Sequence, residues 1–338
     1  MAQGISKTTE DKKQEFLTPL LHLQNLKIAF ETEQGFKTVM NNAEVKIFPQ
    51  QRVGFLGESG SGKSVSALSI LKLLPHPSAQ VSGRFFWRGE DMESLATNDF
   101  RQLFRWKKIA FVFQEMGAAL NPVMTIGQQF DEILTPEQKK NKEVENLLQE
   151  CGFADPKSVL TAYPHTLSGG MQQRILLALA LVHNPELIIT DEPTSALDSS
   201  LQQRMMQLIE NRVAKNKMAW LVISHDLGLV GKYCDFIYVF YAGKIVEEAP
   251  AQELLFHPHH PYSLGLLKSA VTLYTEKKQH LYSIPFPTEK KQPLPGCVFA
   301  DRCSYSQKIC FTLSPQYNSI GSNRKCACHF PILESLAK

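Results

Sequence analysis

The eight residues "GESGSGKS", Gly57–Ser64, constrain the fold of this chain more than any other segment. They match the phosphate-loop pattern G-x-x-x-x-G-K-[ST] at every fixed position. The apolar run "RVGFLG" ends on the first of these glycines, and "SVSALSILKLL", which has helical spacing, follows the lysine. A strand, a glycine-rich loop and a helix in that order are what a phosphate loop requires, and a chance glycine-rich turn would lack them. The sequence therefore predicts an α/β domain that binds a nucleoside triphosphate.

Each residue type in this loop has a chemical reason to be there. The glycines let the backbone wrap closely around a phosphate, and successive N–H groups form a nest for the anion. Lys63 can reach the β- and γ-phosphates, and Ser64 can hold Mg²⁺. The residues of this segment that we predict to contact the nucleotide are Gly57, Glu58, Ser59, Gly60, Ser61, Gly62, Lys63, Ser64 and Val65.

Polar side chains follow three further apolar runs that are predicted to be buried strands. In "LIITDEP", Asp191 emerges at the carboxyl end of the strand, where α/β sheets bind their ligands. Asp191 is predicted to coordinate Mg²⁺ through water, and Glu192 beside it to polarise the attacking water. His225 follows the apolar run "LVIS" and Gln114 follows "AFVF", so both are expected near the γ-phosphate, with Gln114 also near Mg²⁺. Glu192, His225 and Gln114 are the predicted catalytic residues.

A second candidate anion site lies in "LSGGMQQR", Leu167–Arg174. Ser168, Gly169 and Gly170 precede an apolar run, so they are predicted to present free backbone N–H groups at a helix N-terminus. This segment lies more than a hundred residues beyond Lys63 (168 − 63 = 105). The sequence thus places two phosphate-binding segments in one chain.

The remaining pattern predicts a mostly parallel, doubly wound sheet, because apolar strands alternate with helical stretches after a β-rich region at Leu21–Phe55. The net charge of +3 is too small to indicate nucleic-acid binding. Residues 1–18 are polar and are predicted to form a mobile tail without the apolar core of a signal peptide. The other predicted elements are a strand at Lys108–Gln114, helices at Gly127–Leu134, Glu137–Cys151 and Ile175–Val182, a strand at Leu187–Thr190, a helix at Ser199–Ala214, a strand at Ala219–Ser224 and a hairpin turning at Ala242–Gly243.

These motifs together resemble those of the ATP-binding subunits of ABC transporters. The resemblance covers about Leu21 to Tyr262, and it rests on "GESGSGKS", Gln114, "LSGGMQQ", "LIITDEP", "SALD" at Ser195–Asp198 and "SHD" around His225, in that order. It implies a P-loop ATPase domain with a mixed or parallel sheet core, an antiparallel β subdomain and a helical subdomain at about residues 115–170 that docks onto a membrane protein. The implied domain bounds are 1–18 for the tail, 19–262 for the ATPase domain and 263–338 for a C-terminal extension, with ATP and Mg²⁺ as cofactors.

The resemblance also gives the second anion site a role. In this family two ATPase domains pack head to tail, and the signature segment of one caps the nucleotide held by the phosphate loop of the other. Ser168, Gly169 and Gly170 are therefore expected to contact the ATP of a second subunit. Phe30 is expected to stack on adenine, with Phe36 as its rival, and a core role for either residue stays open.

Longer segments are similar to the dipeptide/oligopeptide importer branch of this family. They are "FVFQEMGAALNPVMTIGQQ", "YPHTLSGGMQQR", "HPHHPYSLGLL" and the cysteine-bearing "GCVFADRCSYSQKIC" and "CACH". Two features depart from the branch: Gln172 stands where many members have a basic residue, and the link before Cys297 is shorter. The likeness implies an ATPase that powers peptide uptake at the cytoplasmic face of the cytoplasmic membrane. Its implied partners are a second, non-identical ATPase subunit, two membrane permease subunits and, indirectly, an extracytoplasmic peptide-binding protein.

Two alternative functions stay open at this stage. One is transport of another solute, such as nickel or a cationic peptide, or export. The other is a soluble ABC ATPase that acts on ribosomes or DNA without any transporter. Soluble translation factors of this superfamily usually carry two cassettes, and DNA-repair relatives interrupt theirs with long coiled coils; this sequence has one phosphate loop and no coiled-coil insertion. No apolar run approaches the ~18–20 residues that span a bilayer.

Five of the seven cysteines fall in the last part of the chain. Cys297, Cys303, Cys310 and Cys328 are separated by five, six and seventeen residues, so zinc, an iron–sulfur cluster and unligated thiols all stay open. The resemblance favours a [4Fe–4S] cluster, with Zn²⁺ as the alternative, and Cys326 or His329 can replace Cys328 as the fourth ligand. The extension is expected to lack a core of its own, to take its folding energy from the metal and to lie far from the ATP site.

Overall fold

The computed structural model describes residues 18–105, 107–113, 119–140, 143–193, 199–270, 282–285 and 295–333. The chain divides into two compact units. The first contains the residues up to Ser94 and those from Val222 onward, and the second contains Leu95–Leu221. The predicted tail at 1–18 lies almost entirely outside the described residues, and the predicted domain limits stay predictions.

The elements are numbered in chain order. The strands are β1 (Leu21–Thr32), β2 (Gly35–Ile47), β3 (Arg52–Leu56), β4 (Ala79–Trp87), β5 (Glu90–Asp91), β6 (Ile109–Val112), β7 (Leu187–Asp191), β8 (Ala219–Ser224), β9 (Phe236–Tyr241), β10 (Lys244–Pro250), β11 (Asn318–Ser319) and β12 (Lys325–Cys326). The helices are α1 (Lys63–Ile70), α2 (Thr97–Leu103), α3 (Ile126–Ile133), α4 (Pro136–Lys140), α5 (Glu143–Glu150), α6 (Pro156–Thr161), α7 (Gly169–Leu181), α8 (Ser199–Asn216), α9 (Leu227–Tyr233), α10 (Ala251–Phe256), α11 (Pro261–Ser269) and α12 (Lys308–Thr312).

The first unit contains two sets of strands. One is an antiparallel sheet in the order β2-β1-β4-β5, which confirms the β-rich character predicted for the start of the chain. In the other, β3 pairs in parallel with β9, β9 pairs antiparallel with β10, and β12 joins the far side of β10. The predicted hairpin turn is confirmed: Ala242 and Gly243, between β9 and β10, have φ of +44° and +77°. Two consecutive left-handed residues are what a tight hairpin requires.

The second unit combines a buried parallel strand pair with the helical stretch. Every residue of β6 and β7 is buried, as expected for strands covered on both faces. Strand β8 lies beside β7, and Ala219 donates a backbone hydrogen bond to the Glu186 carbonyl at 2.8 Å. Helices α3 to α6 follow one another between residues 126 and 161, which matches the helical character predicted for this region.

The stretch predicted to be helical at Glu137–Cys151 contains α4 and α5, and residues 141–142 between them lie outside the described chain. The helix N-terminus predicted at Ser168–Gly170 is confirmed: α7 begins at Gly169, and the Ser168 hydroxyl caps it by accepting a hydrogen bond from the Met171 amide at 3.3 Å. The apolar run Ile175–Val182 forms the later part of this helix. Within the described residues, no helix is both long enough and apolar enough to span a bilayer.

The end of the C-terminal extension is attached to the first unit by strand pairing and buried charges. β12 pairs antiparallel with β10, so that Cys326 faces Glu247 and Lys325 faces Glu248. The Arg324 side chain is 9% exposed and lies 3.2 Å from the Glu253 carboxylate. The sheet therefore supplies backbone partners for the end of the extension, and the expectation that a metal supplies its folding energy stays a prediction.

Candidate functional site

The phosphate loop follows β3 and ends where α1 begins. Gly62 stands at the N-cap position of α1 with φ of +106°, a conformation that favours glycine. A Cβ at Gly57 would lie 2.2 Å from the Phe240 carbonyl oxygen, and one at Gly62 would lie 2.5 Å from the Met40 side chain. At Gly57 the close approach of the backbone therefore leaves no room for a side chain, and at Gly62 the left-handed backbone favours glycine.

The interior of this loop carries polar groups suited to an anion. The Lys63 side chain is buried, and its Nζ donates to the carbonyl oxygens of Gly57 at 2.7 Å and Glu58 at 2.9 Å. Ser61 is also buried, and its hydroxyl has no hydrogen-bond partner among the described residues. A buried ammonium beside an unsatisfied hydroxyl and a nest of glycines fits a bound phosphate. Ser59 and Gly60 are exposed at the tip, while Ser64 and Val65 are half-buried in α1.

Glu58 connects the loop with distant parts of the chain. Arg302 donates from both terminal nitrogens to the Glu58 carboxylate, at 2.8 Å and 2.9 Å. The Tyr262 hydroxyl accepts a hydrogen bond from the Glu58 amide at 2.9 Å. The Glu58 carboxylate raises the pKa of the Arg302 guanidinium above its usual range.

The contact with Arg302 corrects the expectation that the extension lies far from the ATP site. Arg302 and Glu58 are 244 residues apart in the chain. Arg302 and Tyr262 could not be predicted from the sequence, because no local pattern connects Glu58 with residues 244 and 204 positions away.

His225 also lies in the first unit, directly after β8. Its side chain is exposed at the carboxyl end of the strand, as predicted. The next residue, Asp226, caps α9 by accepting hydrogen bonds from the amides of Gly228 at 2.8 Å and Leu229 at 3.2 Å. The cap fixes where the helix begins and so where the backbone of His225 lies.

The second unit holds the predicted acidic pair. Asp191 is the last residue of β7 and is buried, and Glu192 follows it half-buried. Glu192 has φ of +47°, a left-handed conformation that is strained for a residue with a side chain and is often found at functional sites. Behind the pair, Trp220 donates to the Thr190 hydroxyl at 3.0 Å and so stabilises the strand end.

The signature segment lies in the same unit at the start of α7. Ser168 and Gly169 are exposed, and a Cβ at Gly169 would meet nothing within 4 Å, so the first turn of the helix is accessible. Gln172, the residue that departs from the importer branch, donates from its side chain to the carbonyls of Pro164 at 2.8 Å and Leu167 at 3.1 Å. It therefore stabilises the turn that leads into the helix.

The predicted aromatic contacts to adenine are not resolved. Phe30 is half-buried in β1 and Phe36 is 47% exposed in β2, both in the first unit. Gln114 and the "SALD" segment at Ser195–Asp198 lie outside the described residues. The structure collects the loop residues Gly57–Val65 in one place, and the roles of these residues and of the strand-end residues stay predictions.

Four of the cysteines line one small pocket in the extension. The pocket is lined by Cys297, Cys303, Cys310 and Cys328, together with Phe299, Tyr305 and Phe330 among others. Neither Cys326 nor His329 lines it: Cys326 is buried in β12, and the His329 ring is hydrogen-bonded to the Leu313 carbonyl at 2.8 Å. Burial raises the pKa of the Cys328 thiol to about 11.

Among the described residues, no group of three or more His, Cys, Asp or Glu side chains is arranged so that it could hold a metal ion. The iron–sulfur prediction is therefore not supported by a formed site. The two remaining cysteines, Cys151 and Cys234, are buried, as expected for small hydrophobic side chains, and burial raises the pKa of Cys151 to about 12.

Comparison with known proteins bears on both parts of the chain. Residues 40–195 match the family model described as ABC transporter, and residues 246–310 match the one described as oligopeptide/dipeptide transporter, C-terminal region. A putative peptide import ATP-binding protein of Brucella abortus is 37% identical over 94% of this chain and 97% of its own length. The dipeptide transport ATP-binding protein DppD of Escherichia coli is 35% identical over 93% of this chain and 97% of its own length.

The chain belongs to the ABC transporter family of ATP-binding subunits. Its likeness to solved structures agrees with this assignment. A dimeric ATP-binding cassette, MJ0796, bound to ADP and phosphate, has a TM-score of 0.59 at 25% identity and covers 68% of this chain and 98% of its own. The fold class predicted from the sequence is confirmed, and this ABC family member is an ATPase.

Proposed function

We propose that this ABC family member hydrolyses ATP to power the uptake of dipeptides or oligopeptides through separate membrane subunits. The observation that carries the proposal is the presence, in one chain, of an ABC cassette and an oligopeptide/dipeptide transporter C-terminal region. The names of the relatives from Brucella and Escherichia coli support peptides as the transported class. The phosphate loop, with its buried Lys63, supplies the nucleotide site.

The proposed chemistry follows from the residues of the site. The loop N–H groups and Lys63 bind and orient the β- and γ-phosphates. Glu192 polarises the attacking water, and His225 contacts the γ-phosphate and that water. The proposed Mg²⁺ ligands are Ser64, Asp191 and Gln114. When bound, the ion would neutralise negative charge on the phosphates.

We further propose that the active form contains two ATPase subunits. Ser168 and Gly169 are exposed and Gly170 is half-buried, so the positive N-terminal end of α7 is available to a nucleotide held by another subunit. The second subunit is proposed to be non-identical. The remaining proposed partners are two membrane permeases and, indirectly, an extracytoplasmic peptide-binding protein. This chain is proposed to be a peripheral protein at the cytoplasmic face of the inner membrane and to bind no nucleic acid.

We also propose that the cysteine pocket holds a [4Fe–4S] cluster, with Zn²⁺ as the alternative. The convergence of four thiols on one pocket supports this assignment, since soft sulfur donors suit both groups. The proposed ligands are Cys297, Cys303, Cys310 and Cys328. When bound, the group would cross-link the parts of the extension that carry them.

The transport proposal is tested by purifying the chain with the membrane subunits encoded beside it and reconstituting the complex in vesicles. ATP-dependent accumulation of a labelled dipeptide supports the proposal, and Lys63→Ala is expected to abolish it. Accumulation of Ni²⁺ without dipeptide would replace the proposed substrate class. A chain that purifies without membrane subunits and binds ribosomes or DNA would exclude the transporter role.

A further inference from the structure

The phosphate loop is held from outside by a residue of the cysteine-bearing extension. The Arg302 guanidinium binds the Glu58 carboxylate with two hydrogen bonds, at 2.8 Å and 2.9 Å. A two-point contact between a planar guanidinium and a carboxylate fixes orientation as well as distance. Glu58 is the second residue of the loop, so its orientation affects every loop residue after it.

Arg302 is itself held firmly. Its Nε donates to the Pro285 carbonyl at 2.6 Å, and its guanidinium lies 5.6 Å from the centre of the Tyr241 ring. The Tyr241 hydroxyl accepts a further hydrogen bond at 3.3 Å, and the Arg302 side chain is 9% exposed. A largely covered guanidinium with this many partners is costly to rearrange, so it acts as a fixed support and not as a solvated surface charge.

The contact reaches the phosphate-binding lysine through the same residue. The Glu58 carbonyl accepts from Lys63 Nζ at 2.9 Å and from the Ser61 amide at 3.2 Å. The Glu58 amide donates to Tyr262 at 2.9 Å. The side chain of Glu58 is thus set by the extension, while its backbone sets the positions of Lys63 and Ser61.

Arg302 also lies within the cysteine segment. It is the last residue of the 3-10 turn Ala300–Arg302, which lies between Cys297 and Cys303. The thiols of both these cysteines line the same pocket as Cys310. The Cys303 amide closes the turn by donating to the Ala300 carbonyl at 3.3 Å. A change in the backbone at Cys303 therefore moves the residue that holds Glu58.

We propose that Arg302 is a positioning residue for ATP binding, acting through Glu58, and that the cysteine segment thereby sets the affinity of the phosphate loop for nucleotide. The inference rests on the proposed role of the phosphate loop. The contact of Arg302 is with the Glu58 carboxylate, so its effect on the nucleotide is exerted through the loop. The bidentate contact between Arg302 and Glu58 thus couples two sites, the cysteine segment and the phosphate loop.

The test measures equilibrium binding of MgATP to the full-length chain purified with its partner subunits. Arg302→Gln and Glu58→Gln are each expected to raise the Kd for MgATP about fivefold, at the lower end of couplings between sites. The double variant is expected to be no weaker than the singles, because both changes remove the same contact. The Kd of Arg302→Lys is expected to lie between those of the unchanged chain and of Arg302→Gln, because an ammonium keeps the positive charge but cannot form the two-point contact.

The controls separate this coupling from general damage to the extension. Arg324→Gln removes an arginine of equal side-chain exposure that pairs with Glu253 and Glu247, neither of which belongs to the loop. It is expected to lower the melting temperature and leave the Kd unchanged, and Lys325→Gln is a milder second control. An unchanged Kd for Arg302→Gln, or an equal rise for Lys325→Gln, would overturn the inference. Normal MgATP binding by Lys63→Ala would instead overturn the proposed role of the loop.

Discussion

At the scale of single residues, Glu192 shows how much a local pattern can predict. An apolar run followed by two carboxylates was enough to place Asp191 at a strand end and Glu192 just beyond it. The left-handed backbone of Glu192, with φ of +47°, could not be predicted, because no residue type there requires it. The strain is a property of the folded chain around the residue.

We predict that Glu192→Gln preserves MgATP binding and slows hydrolysis at least ~tenfold in the assembled complex, because the amide cannot polarise water as a carboxylate does. Steady-state phosphate release and nucleotide binding, measured on the same preparation, test this. Glu143→Gln, which changes an exposed carboxylate at the start of α5, is the control. Near-normal turnover of the Glu192 variant would remove this residue from the mechanism.

At the scale of elements, the phosphate loop was predicted well because its pattern is short and continuous. The glycine spacing fixes a strand, a turn and a helix within about twenty residues, and each has a local cause. The extension was predicted poorly because its partners, β10 and Glu58, lie far away in the chain. The start of α7 could be predicted for the same reason as the loop, since it depends on a single capping hydroxyl at Ser168 that is adjacent in the sequence.

The two glycines at the loop's start and tip give a matched test. Gly57→Ala is expected to weaken MgATP binding by at least ~tenfold and to lower the melting temperature, because an added Cβ would lie 2.2 Å from a backbone oxygen that cannot yield. Gly60→Ala meets nothing within 4 Å, and its φ of +77° should cost only about 1 kcal/mol. Equal effects of the two changes would show that backbone strain, and not the close approach at Gly57, governs the loop.

The N-terminus of α7 carries a prediction of its own. Ser168→Arg is expected to abolish ATP-driven association of the two ATPase subunits while nucleotide binding to the isolated chain is retained. The added side chain is bulky, and its positive charge opposes a phosphate at the positive end of the helix. Binding and association are measured separately, by calorimetry and by size-exclusion chromatography with MgATP.

Ser158→Arg provides the matched control, because it introduces the same side chain at another exposed serine near a helix N-terminus of the second unit. The idea of two separate nucleotide contacts fails if Ser168→Arg weakens binding in the isolated chain as strongly as it weakens association.

At the scale of the whole molecule, the extension connects chemistry at the cysteines with the nucleotide site. The spacing of the four cysteines predicted a common site, and the structure brings them to one pocket without forming a metal site among the described residues. The spacing of cysteines in the sequence shows only which of them lie in one segment. The arrangement of their thiols depends on how that segment folds, for example on the hydrogen bond that the Cys297 amide donates to the Cys310 carbonyl at 2.7 Å.

We predict that anaerobically purified protein is brown, with absorption near roughly 400 nm, as thiolate-ligated iron gives. Cys303→Ser is expected to lose this colour, to expose the extension to protease and to weaken MgATP binding, because Cys303 adjoins Arg302. Cys151→Ala, which alters a buried thiol outside the pocket, is the control. A colourless preparation that contains one zinc ion per chain would contradict the cluster assignment and support a zinc site instead.

The pairing of β12 with β10 has a consequence for the solubility of the chain. Without the extension, β10 would become a border strand whose amide and carbonyl groups on one side have no protein partner. The positions concerned are Glu247 and Glu248, which pair with β12, and Val246, whose carbonyl accepts from the Ala327 amide at 2.8 Å. Unpaired strand edges recruit other chains into intermolecular sheets, so a chain truncated before residue 318 is expected to aggregate more readily than the full chain.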